Sequence, residues 1–428
     1  MNGHRSSRQA RWLGLIAAST VLVAACSTSG SSESAEPSLA ADAACVNDVP
    51  GVIAAPEPAD PNAELSADLV ATLDAAAQAG LKEAATDGAI VGVRTPEGTW
   101  AAAYGVADPD TGAPMTTDMH QRIGSVTKTM TGTLLLQLVQ EGTVSLDDTI
   151  GEYVEGVPNG DTVTLRQLAD MTSGVASYTM SEKFTDVYFA SPEKVFTPDE
   201  LLSVGLSLPA LFEPGAEFNY SNTNTVLLGK VIEQVTGRDV ADLMVERIYT
   251  PLGLSGTSWP GDSPDLPEPY ARGFTTQGQG TSENPADATH WNPAWGWTAG
   301  EAISTLSDLL VYARAIGTGQ GLLDPATQEI RLTSFPGPAG YGIAMGCTDG
   351  WVGHTGELPG YNTSVFYDTR TDTSIVVETN SDIASGDCTV SVTLPDNDTS
   401  LPCMSPASRI ALAVSTALGH PLVTPPIT

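Results

Sequence analysis

Ser125 and Lys128 are three residues apart at the start of a predicted helix, and this spacing puts both side chains on one face, one turn apart. A serine needs a base to become a nucleophile, and a lysine desolvated at a cleft has a lowered pKa and can act as that base. The N-terminus of the helix adds free backbone N–H groups that favour an oxyanion beside the serine. The same pair is also typical of a capping serine followed by a solvated lysine, so its meaning depends on what accompanies it.

Two further groups of polar residues follow along the chain. Tyr220, Ser221 and Asn222 come 95 residues after Ser125, in a predicted loop just before a helix. The group 354–356, with the sequence His-Thr-Gly, comes 134 residues after Tyr220 on a predicted strand. Taken singly, Tyr220 also fits a core aromatic, Asn222 a helix cap and the histidine a surface residue. Their order along the chain is the more informative observation.

In this order the three groups resemble the motifs of the serine β-lactamase and penicillin-binding superfamily. The resemblance is closer to the branch that holds class C β-lactamases, secreted D-Ala-D-Ala carboxypeptidases and related esterases. Four longer segments carry the same likeness: 122–129, 134–143, 165–174 and 353–361. The likeness covers roughly residues 63 to 420.

The resemblance implies a serine hydrolase that forms an acyl-enzyme and needs no cofactor. Ser125 is then the acylated nucleophile. Lys128 and Tyr220 share its proton and pass one to the leaving group.

The resemblance also assigns the substrate-binding residues. Asn222 is expected to hold the substrate amide, and the backbone N–H of Glu357 is expected to complete an oxyanion hole with that of the serine. The strand that carries His354, Thr355 and Gly356 is expected to bind the substrate along its edge, like an added strand. Gly356 is expected to let the substrate backbone approach closely.

Two departures from the family pattern concern the substrate. His354 stands where most β-lactamases have lysine, and a histidine is mostly neutral above its usual pKa of about 6.5. The related carboxypeptidases carry an arginine on the preceding strand that grips the terminal carboxylate, and the segment 341–347 has none. These departures weaken the case for D-Ala-D-Ala carboxypeptidase specificity and favour an esterase or another amidohydrolase.

Hydrophobic periodicity predicts an α+β fold. A helix is expected over about 63–85, a hairpin over 89–105, several helices between 125 and 250, strands between 341 and 380, and a final helix over 409–418. These elements predict an antiparallel sheet flanked by N- and C-terminal helices, with an inserted all-helical lobe. The catalytic domain is therefore expected to cover 63–428, with an α/β lobe made of 63–105 and about 300–428 and a mainly helical lobe of about 106–299.

Proline-rich and glycine-rich sequence over 255–293 predicts surface loops or an insertion. Three tryptophans, Trp291, Trp295 and Trp297, stand at its end. Such a cluster either forms an aromatic wall of the cleft or packs in the core, and the core is the more common location.

The N-terminus predicts export and a lipid anchor. Three arginines precede an apolar run that is too short to cross a bilayer comfortably, which identifies residues 1–25 as a signal peptide. Small residues lead directly into Cys26, and this resembles a bacterial lipobox in which the cysteine is lipidated. The segment 26–62 is poor in large apolar residues and is expected to be a flexible tether. We therefore expect an extracytoplasmic protein held at the bacterial membrane through its lipid.

Four other cysteines remain in the exported chain. Cys388 and Cys403 both fall between the last strand and the last helix. Cys347 begins the strand at the cleft edge, and Cys45 precedes a helix that should start at the same end of the sheet. The expected disulfides are Cys45 with Cys347 and Cys388 with Cys403.

Composition excludes several functions. Lys plus Arg is 18 and Asp plus Glu is 51, which gives a formal charge of −33. Phosphate binding depends on lysine and arginine, so nucleic acid is not expected as a partner. The five histidines are scattered without a zinc-binding pattern, so no metal site is expected.

The sequence thus predicts a serine hydrolase acting on a small-molecule or peptide substrate, such as a peptidoglycan stem peptide, a β-lactam or an ester. A carboxypeptidase-like enzyme acting on cell-wall peptides or related D-amino-acid amides ranks first, an esterase second and a β-lactamase third. The alternative of another class is a non-catalytic lipoprotein that binds muropeptides. Intact Ser125, Lys128 and Tyr220 argue against it, because a binder has no use for an activated nucleophile.

Overall fold

The computed structural model describes residues 44–61 and 63–424. The helices are α1 (Val49–Ile53), α2 (Ala67–Glu83), α3 (Thr127–Gln140), α4 (Leu165–Ala169), α5 (Glu182–Ala190), α6 (Pro198–Gly205), α7 (Asn222–Thr236), α8 (Val240–Met244), α9 (Thr250–Leu252), α10 (Leu306–Thr318), α11 (Pro325–Leu332) and α12 (Pro406–Ala417). The strands are β1 (Gly88–Thr95), β2 (Gly98–Asp108), β3 (Ala113–Pro114), β4 (His120–Arg122), β5 (Phe274–Thr275), β6 (Ala286–Asp287), β7 (Ile303–Thr305), β8 (Ala339–Gly342), β9 (Met345–Thr348), β10 (Trp351–Leu358), β11 (Tyr361–Asp368) and β12 (Thr373–Thr379). Single 3₁₀ turns lie at Gly124–Val126, Ile150–Glu152, Tyr178–Met180, Pro293–Trp295 and Trp297–Ala299, and a π turn at Val245–Tyr249.

Strands from both ends of the described chain form one antiparallel sheet. Its order is β3-β2-β1-β12-β11-β10-β9-β8, so the N-terminal hairpin joins the C-terminal meander where β1 pairs with β12. The register sets Ala89 opposite Thr379 and Val93 opposite Ile375. Every residue of β11 and β12 is buried, as expected for central strands that helices cover on both faces. The structure confirms the predicted α+β class with its large antiparallel sheet.

Each face of the sheet packs against its own helices. On one face, Leu73 of α2 and Ile410 and Val414 of α12 share a buried cluster with Val377 of the sheet. On the other face, Leu306 of α10 belongs to the larger core, which continues into the helical part of the chain. The two terminal helices predicted from apolar spacing therefore lie side by side on one face.

Helix α3 is the centre of the helical part. All of its residues except the last two are buried, which explains why its apolar sequence shows little one-sided pattern. The buried threonine hydroxyls are hydrogen-bonded: that of Thr131 donates to the Thr298 carbonyl and that of Thr133 donates to the Thr129 carbonyl. Because each hydroxyl has a hydrogen-bond acceptor, burying it does not leave an unpaired polar group in the core.

The prediction of a flexible tether over 26–62 is wrong for residues 44–61. Cys45, Val46 and Val52 are buried, and α1 packs against α10 and α11. Arg314 of α10 donates to the carbonyl of Pro56 at 2.9 Å. Composition alone missed these contacts because a buried arginine and a disulfide hold a segment that has few large apolar residues.

Residues 1–43 lie outside the described part of the chain, and with them the predicted signal peptide and Cys26. Within residues 44–61 and 63–424, none of the helices has both the length and the apolar character that crossing a bilayer requires.

Both expected disulfides are present. Cys45 and Cys347 have Cα atoms 6.3 Å apart and join the N-terminal segment to β9. Cys388 and Cys403 have Cα atoms 4.8 Å apart and close the loop between β12 and α12. The first disulfide attaches the edge of the sheet to residues that are distant along the chain.

The start of the region predicted to form strands, 341–345, is not one strand but contains the turn of a hairpin: Tyr341 and Gly342 end β8, and Met345 begins β9. Gly342 pairs with Met345, and Ala344 lies in the left-handed region at φ 51°. The backbone N–H of Ala344 donates to the carbonyl of Ala169 in α4. This contact turns the chain back and makes β8 and β9 a two-stranded edge.

The prediction of surface loops over 255–293 is wrong for part of that segment. Ala271, Thr275 and Ala288 are buried, and β5 pairs with β6. The backbone N–H of Phe274 donates to the Asn380 carbonyl, which fixes this segment against the end of β12. The glycines and prolines permit the turns, but contacts with the sheet bury the residues between them.

Candidate active site

Ser125 lies in the 3₁₀ turn directly before α3, and Lys128 lies in the first turn of that helix. The lysine Nζ donates to Ser125 Oγ at 3.0 Å and to the carbonyl of Ala299 at 2.6 Å. Lys128 is fully buried, whereas Ser125 is half-buried. The three-residue spacing therefore produces the contact that the sequence predicts.

Burial lowers the pKa of Lys128 well below its usual value of 10.5, because the charged ammonium loses its hydration. A neutral amine next to a serine hydroxyl can accept the proton of that hydroxyl. The geometry and the lowered pKa together fit a lysine that acts as a general base.

Tyr220 brings a third polar group to Ser125 from the segment before α7. Its ring lies under Lys128, with Nζ 4.9 Å from the ring centroid. Burial raises the pKa of Tyr220, and the hydroxyl of Ser125 opposes part of that rise. The serine, lysine and tyrosine are thus together in one buried cluster.

Strand β10 packs directly on the turn that carries Ser125. A Cβ placed on Gly356 would lie 1.8 Å from the Ile123 carbonyl oxygen and 3.2 Å from the Ser125 nitrogen. A Cβ placed on Gly124 would lie 2.5 Å from the Glu357 nitrogen. The two backbones approach this closely only because both positions are glycine. This contact brings the backbone of Glu357 close to the turn that carries Ser125.

Gly356 also has a role within the protein itself. The absence of a side chain makes room for the Ile123 carbonyl in the turn that carries Ser125. The expected close approach of a substrate backbone stays a prediction.

His354 faces a tyrosine that the sequence analysis did not assign to the site. Its Nε2 lies 3.0 Å from the hydroxyl of Tyr341 in β8, and its Nδ1 contacts the Thr355 carbonyl. Burial, and then the nearby charge of Lys128, lower the pKa of His354 to about 3. His354 is therefore neutral in this site at physiological pH.

A cleft of about 670 Å³ runs along the free edge of β10. Strand β9 pairs with β10 only at Trp351–Gly353, so the edge from His354 onward is open. Four predicted residues line the cleft: Tyr220, His354, Thr355 and Glu357. Residues not predicted for the site, Asp170, Thr172, Phe218 and Tyr341, also line it.

Asn222 is the predicted residue that the structure places least clearly in the site. It is the first residue of α7, two positions after Tyr220, and its backbone N–H donates to Ser177 Oγ at 3.2 Å. It is not among the residues lining the cleft. Ser125, Lys128 and Gly356 are also not among the cleft-lining residues: Lys128 contacts Ser125 Oγ, and Gly356 packs against the turn that carries Ser125.

The charge of the cleft is acidic. Among the described residues that line it, none is a lysine or an arginine, whereas Asp170 and Glu357 are carboxylic acids. The side chain of Glu357 is exposed, and its low-polarity surroundings together with Asp382 raise its pKa. The cleft thus suits a cationic group better than a carboxylate.

The tryptophan cluster belongs to the core, which was the favoured alternative. Trp291 and Trp295 pack with Tyr188, at ring distances of 6.0 and 5.3 Å. Trp297 is buried, and none of the three lines the cleft that contains Tyr220. In the described part of the chain no group of histidine, cysteine or carboxylate side chains has the arrangement of a metal site.

Comparison with known proteins gives a consistent group of relatives. The family model described as Beta-lactamase matches residues 73–388. Penicillin-binding protein 4 of Amycolatopsis lactamdurans is 31% identical over 222 residues, which cover 50% of this chain and 54% of that protein. A D-aminopeptidase of Brucella anthropi is 30% identical over 271 residues, which cover 60% of this chain and 49% of that protein. The chain spans about half the length of these curated relatives.

Solved structures agree in fold. A D-stereospecific amidohydrolase from a Streptomyces species has a TM-score of 0.67 and 30% identity, over 73% of this chain and 94% of that one. The D-amino acid amidase of Ochrobactrum anthropi SV3, solved with L-phenylalanine amide, has a TM-score of 0.65 and 27% identity, over 74% of this chain and 92% of that one. Both comparisons extend over nearly all of the related chain.

Proposed function

The chain belongs to the Beta-lactamase family, and from that premise we propose that it is a serine hydrolase of D-amino-acid amides that works through an acyl-enzyme on Ser125. The observation that carries this proposal is the hydrogen bond between Lys128 Nζ and Ser125 Oγ at 3.0 Å, formed by a fully buried lysine. A buried lysine that contacts a serine hydroxyl can act as the base that activates this serine as a nucleophile.

The proposed reaction has two steps. In the first, Ser125 Oγ attacks the substrate carbonyl while its proton passes to the neutral amine of Lys128. The backbone N–H groups of Ser125 and Glu357 stabilise the oxyanion. The proton then reaches the leaving nitrogen through Tyr220, the C–N bond breaks, and ammonia or an amine departs. In the second step, water attacks the ester, the free acid is released, and a proton returns to Ser125.

The charge of the cleft supports an amide substrate with a free amino group over a carboxypeptidase substrate. A terminal carboxylate finds no lysine or arginine among the described cleft-lining residues, and His354 is neutral. The exposed carboxyl of Glu357 is suited to the ammonium of a D-amino-acid amide, because the positive charge of a bound ammonium favours ionisation of a carboxyl whose pKa is otherwise raised to about 8. The relatives named D-aminopeptidase and D-amino acid amidase support the same choice.

The non-catalytic alternative conflicts with the same hydrogen bond. A binding protein has no need to bury a lysine amine against a serine, because burying that polar group costs stability. Esterase activity on D-amino-acid esters is compatible with the proposal, since esters acylate a serine by the same route.

The test measures ammonia released from D-phenylalaninamide and L-phenylalaninamide by the full chain and by Ser125→Ala. We expect turnover of the D-isomer by the parent, at least about a hundredfold slower turnover of the L-isomer, and none by the variant. Intact-protein mass spectrometry should detect an acyl adduct on the parent only. Turnover that survives in Ser125→Ala, or binding of the amide without turnover, would refute the proposal.

We also propose that the protein is extracytoplasmic and lipid-anchored. The support is the arginine-flanked apolar run of residues 1–25 and the small residues before Cys26. Labelling cells with an alkyne fatty acid is expected to mark the parent and not Cys26→Ser. Equal labelling of both proteins, or none of the parent, contradicts this part of the proposal.

A further inference from the structure

Tyr341 and His354 form a part-buried hydrogen-bonded pair next to Tyr220. The tyrosine hydroxyl lies 3.0 Å from His354 Nε2, and the two rings meet edge to face with centroids 5.5 Å apart. Tyr341 also meets the ring of Tyr220 edge to face at 6.0 Å. The pair is therefore part of the cleft wall next to Tyr220.

The hydrogen-bond partners determine which ring nitrogen carries the proton. A carbonyl oxygen only accepts, so the contact of His354 Nδ1 with the Thr355 carbonyl requires an N–H at Nδ1. A neutral imidazole carries a single N–H, and Nε2 must then be the acceptor. The hydroxyl of Tyr341 consequently donates to Nε2. This arrangement fixes both the tautomer and the direction of the tyrosine O–H.

Burial and Lys128 oppose a second proton on the His354 ring, whereas the cleft carboxyl groups favour one when they are ionised. Lys128 faces the ring from α3, Tyr220 from the segment before α7, and Tyr341 from β8. Two carboxyl groups, those of Asp170 and Glu357, line the same cleft. Protonating Nε2 would oblige the tyrosine O–H to turn away from it, because Nε2 would then be a donor.

Tyr341 itself is held in place by its strand. Across the hairpin, Tyr341 pairs with Gly346 of β9. The next residue, Cys347, forms the disulfide with Cys45 that joins β9 to the N-terminal segment. Phe218 packs on the outer side of the ring at 6.0 Å. A tyrosine fixed in this way can impose a hydrogen-bonding direction on the histidine.

We propose that Tyr341 is a positioning residue that holds His354 in the neutral, Nδ1-protonated tautomer, so that the cleft presents no cation to a substrate and discriminates against a terminal carboxylate. The selectivity rests on the proposed function, because it assumes an acyl substrate in this cleft. The tautomer does not rest on it.

The first test is ¹⁵N NMR of the histidine-labelled full chain between pH 5 and 8, with His354→Gln identifying the resonance. In the parent, His354 is expected to show a protonated Nδ1 and an unprotonated Nε2 at every pH. In Tyr341→Phe the ring is expected to titrate or to mix tautomers, whereas Tyr153→Phe, a tyrosine far from the cleft, leaves it unchanged. An Nε2-protonated or titrating His354 in the parent overturns the proposal, even if the Tyr341 variant fails to fold.

The second test compares D-alanyl-D-alanine with D-alanyl-D-alaninol, in which a hydroxymethyl group replaces the terminal carboxylate. Cleavage is followed by the D-alanine released, which is two molecules per cleavage of the first compound and one per cleavage of the second. The ratio of kcat/KM is expected to be flat with pH in the parent. In Tyr341→Phe it should shift about tenfold toward the carboxylate at pH 5.5 relative to pH 8. A flat ratio in the folded variant overturns the selectivity role. If the parent hydrolyses neither compound, the proposed function fails while the NMR result still decides the tautomer.

Discussion

The carbonyl oxygen of Ala299 accepts a hydrogen bond from Lys128 Nζ at 2.6 Å. A main-chain carbonyl carries no net charge, so it orients the lysine without neutralising it and without supplying a proton. Ala302, three residues further on, donates its N–H to Thr127 Oγ1 and so ties the same segment to the start of α3. The lysine is thus positioned by backbone groups, and its pKa is governed by burial.

Replacing Lys128 by methionine tests its role as a base. We expect Lys128→Met to lower kcat for D-phenylalaninamide by about 10³-fold, because general-base catalysis contributes roughly 10²- to 10⁴-fold. Thermal unfolding should show equal or higher stability, since the variant no longer has to desolvate the amino group of the lysine. Lys82→Met, at an exposed position of α2, is the matched control. A loss below tenfold in a folded Lys128→Met would rule out the proton transfer that we propose.

The sequence was sufficient for the residues whose side chains do the proposed chemistry and insufficient for the groups that position them. The Ser125–Lys128 spacing on one helix face follows from helical geometry. Ala299 contributes through its carbonyl, and a main-chain acceptor leaves no trace in residue type. Tyr341 reaches His354 only because Ala344 turns the chain into a hairpin, and an alanine at φ 51° is not foreseeable from sequence patterns. Tyr341 and His354 are only 13 residues apart in the sequence, and this short separation is the one feature from which their contact could have been suspected.

The close packing of β10 on the Ser125 turn predicts that Gly356→Ala is damaging. Its new methyl group would lie 1.8 Å from the Ile123 carbonyl, so the strand must move away from the turn. We expect a loss of about 10²-fold in kcat, as when an oxyanion donor is displaced, and about 1–3 kcal/mol of stability.

Gly346→Ala in β9 is the matched control for stability, because its Cβ would meet its nearest atom at 3.4 Å. Kinetics and denaturant unfolding of both variants provide the measurement. Equal stability of the two alanine variants would show that the strand and the turn are not in the contact described.

The proposed ammonium site at Glu357 predicts a defect in substrate binding. In Glu357→Gln the KM for D-phenylalaninamide should rise about tenfold with kcat little changed, because a charge-assisted contact is lost. N-acetyl-D-phenylalaninamide lacks the ammonium and serves as the control substrate, with similar kinetics in both enzymes.

The pH dependence of KM for D-phenylalaninamide tests the same contact between Glu357 and the ammonium. Low-polarity surroundings and the negative charge of Asp382 raise the pKa of Glu357 to about 8, so the carboxyl loses its charge as pH falls through about 8 and KM of the parent should rise over that range. The glutamine variant should lack this dependence. A KM that follows pH equally in both enzymes would assign the ammonium contact to another group.

Glu378 in the central strand β12 predicts a stability effect away from the site. It is fully buried, and within the described part of the chain neither of its carboxylate oxygens has a hydrogen-bond partner. Burial, and then the negative charge of Asp308, raise its pKa well above the usual 4.5. The folded protein therefore keeps Glu378 protonated at a pH where the unfolded chain has ionised it.

The sign of the pH dependence follows from this difference. The contribution of Glu378 to stability is fully present below the unfolded pKa of about 4.3 and is lost as pH rises toward the raised folded pKa. The loss is at most about 1.4 kcal/mol per pH unit in that window. Glu378→Gln does not ionise, so its stability relative to the parent should be lowest at pH 4 and should increase toward pH 8. Denaturant unfolding at both pH values measures this change, with Glu329→Gln at an exposed position as the control. A pH-independent difference between Glu378→Gln and the parent would mean that Glu378 is ionised in the folded protein, and that a cationic or donating group satisfies it.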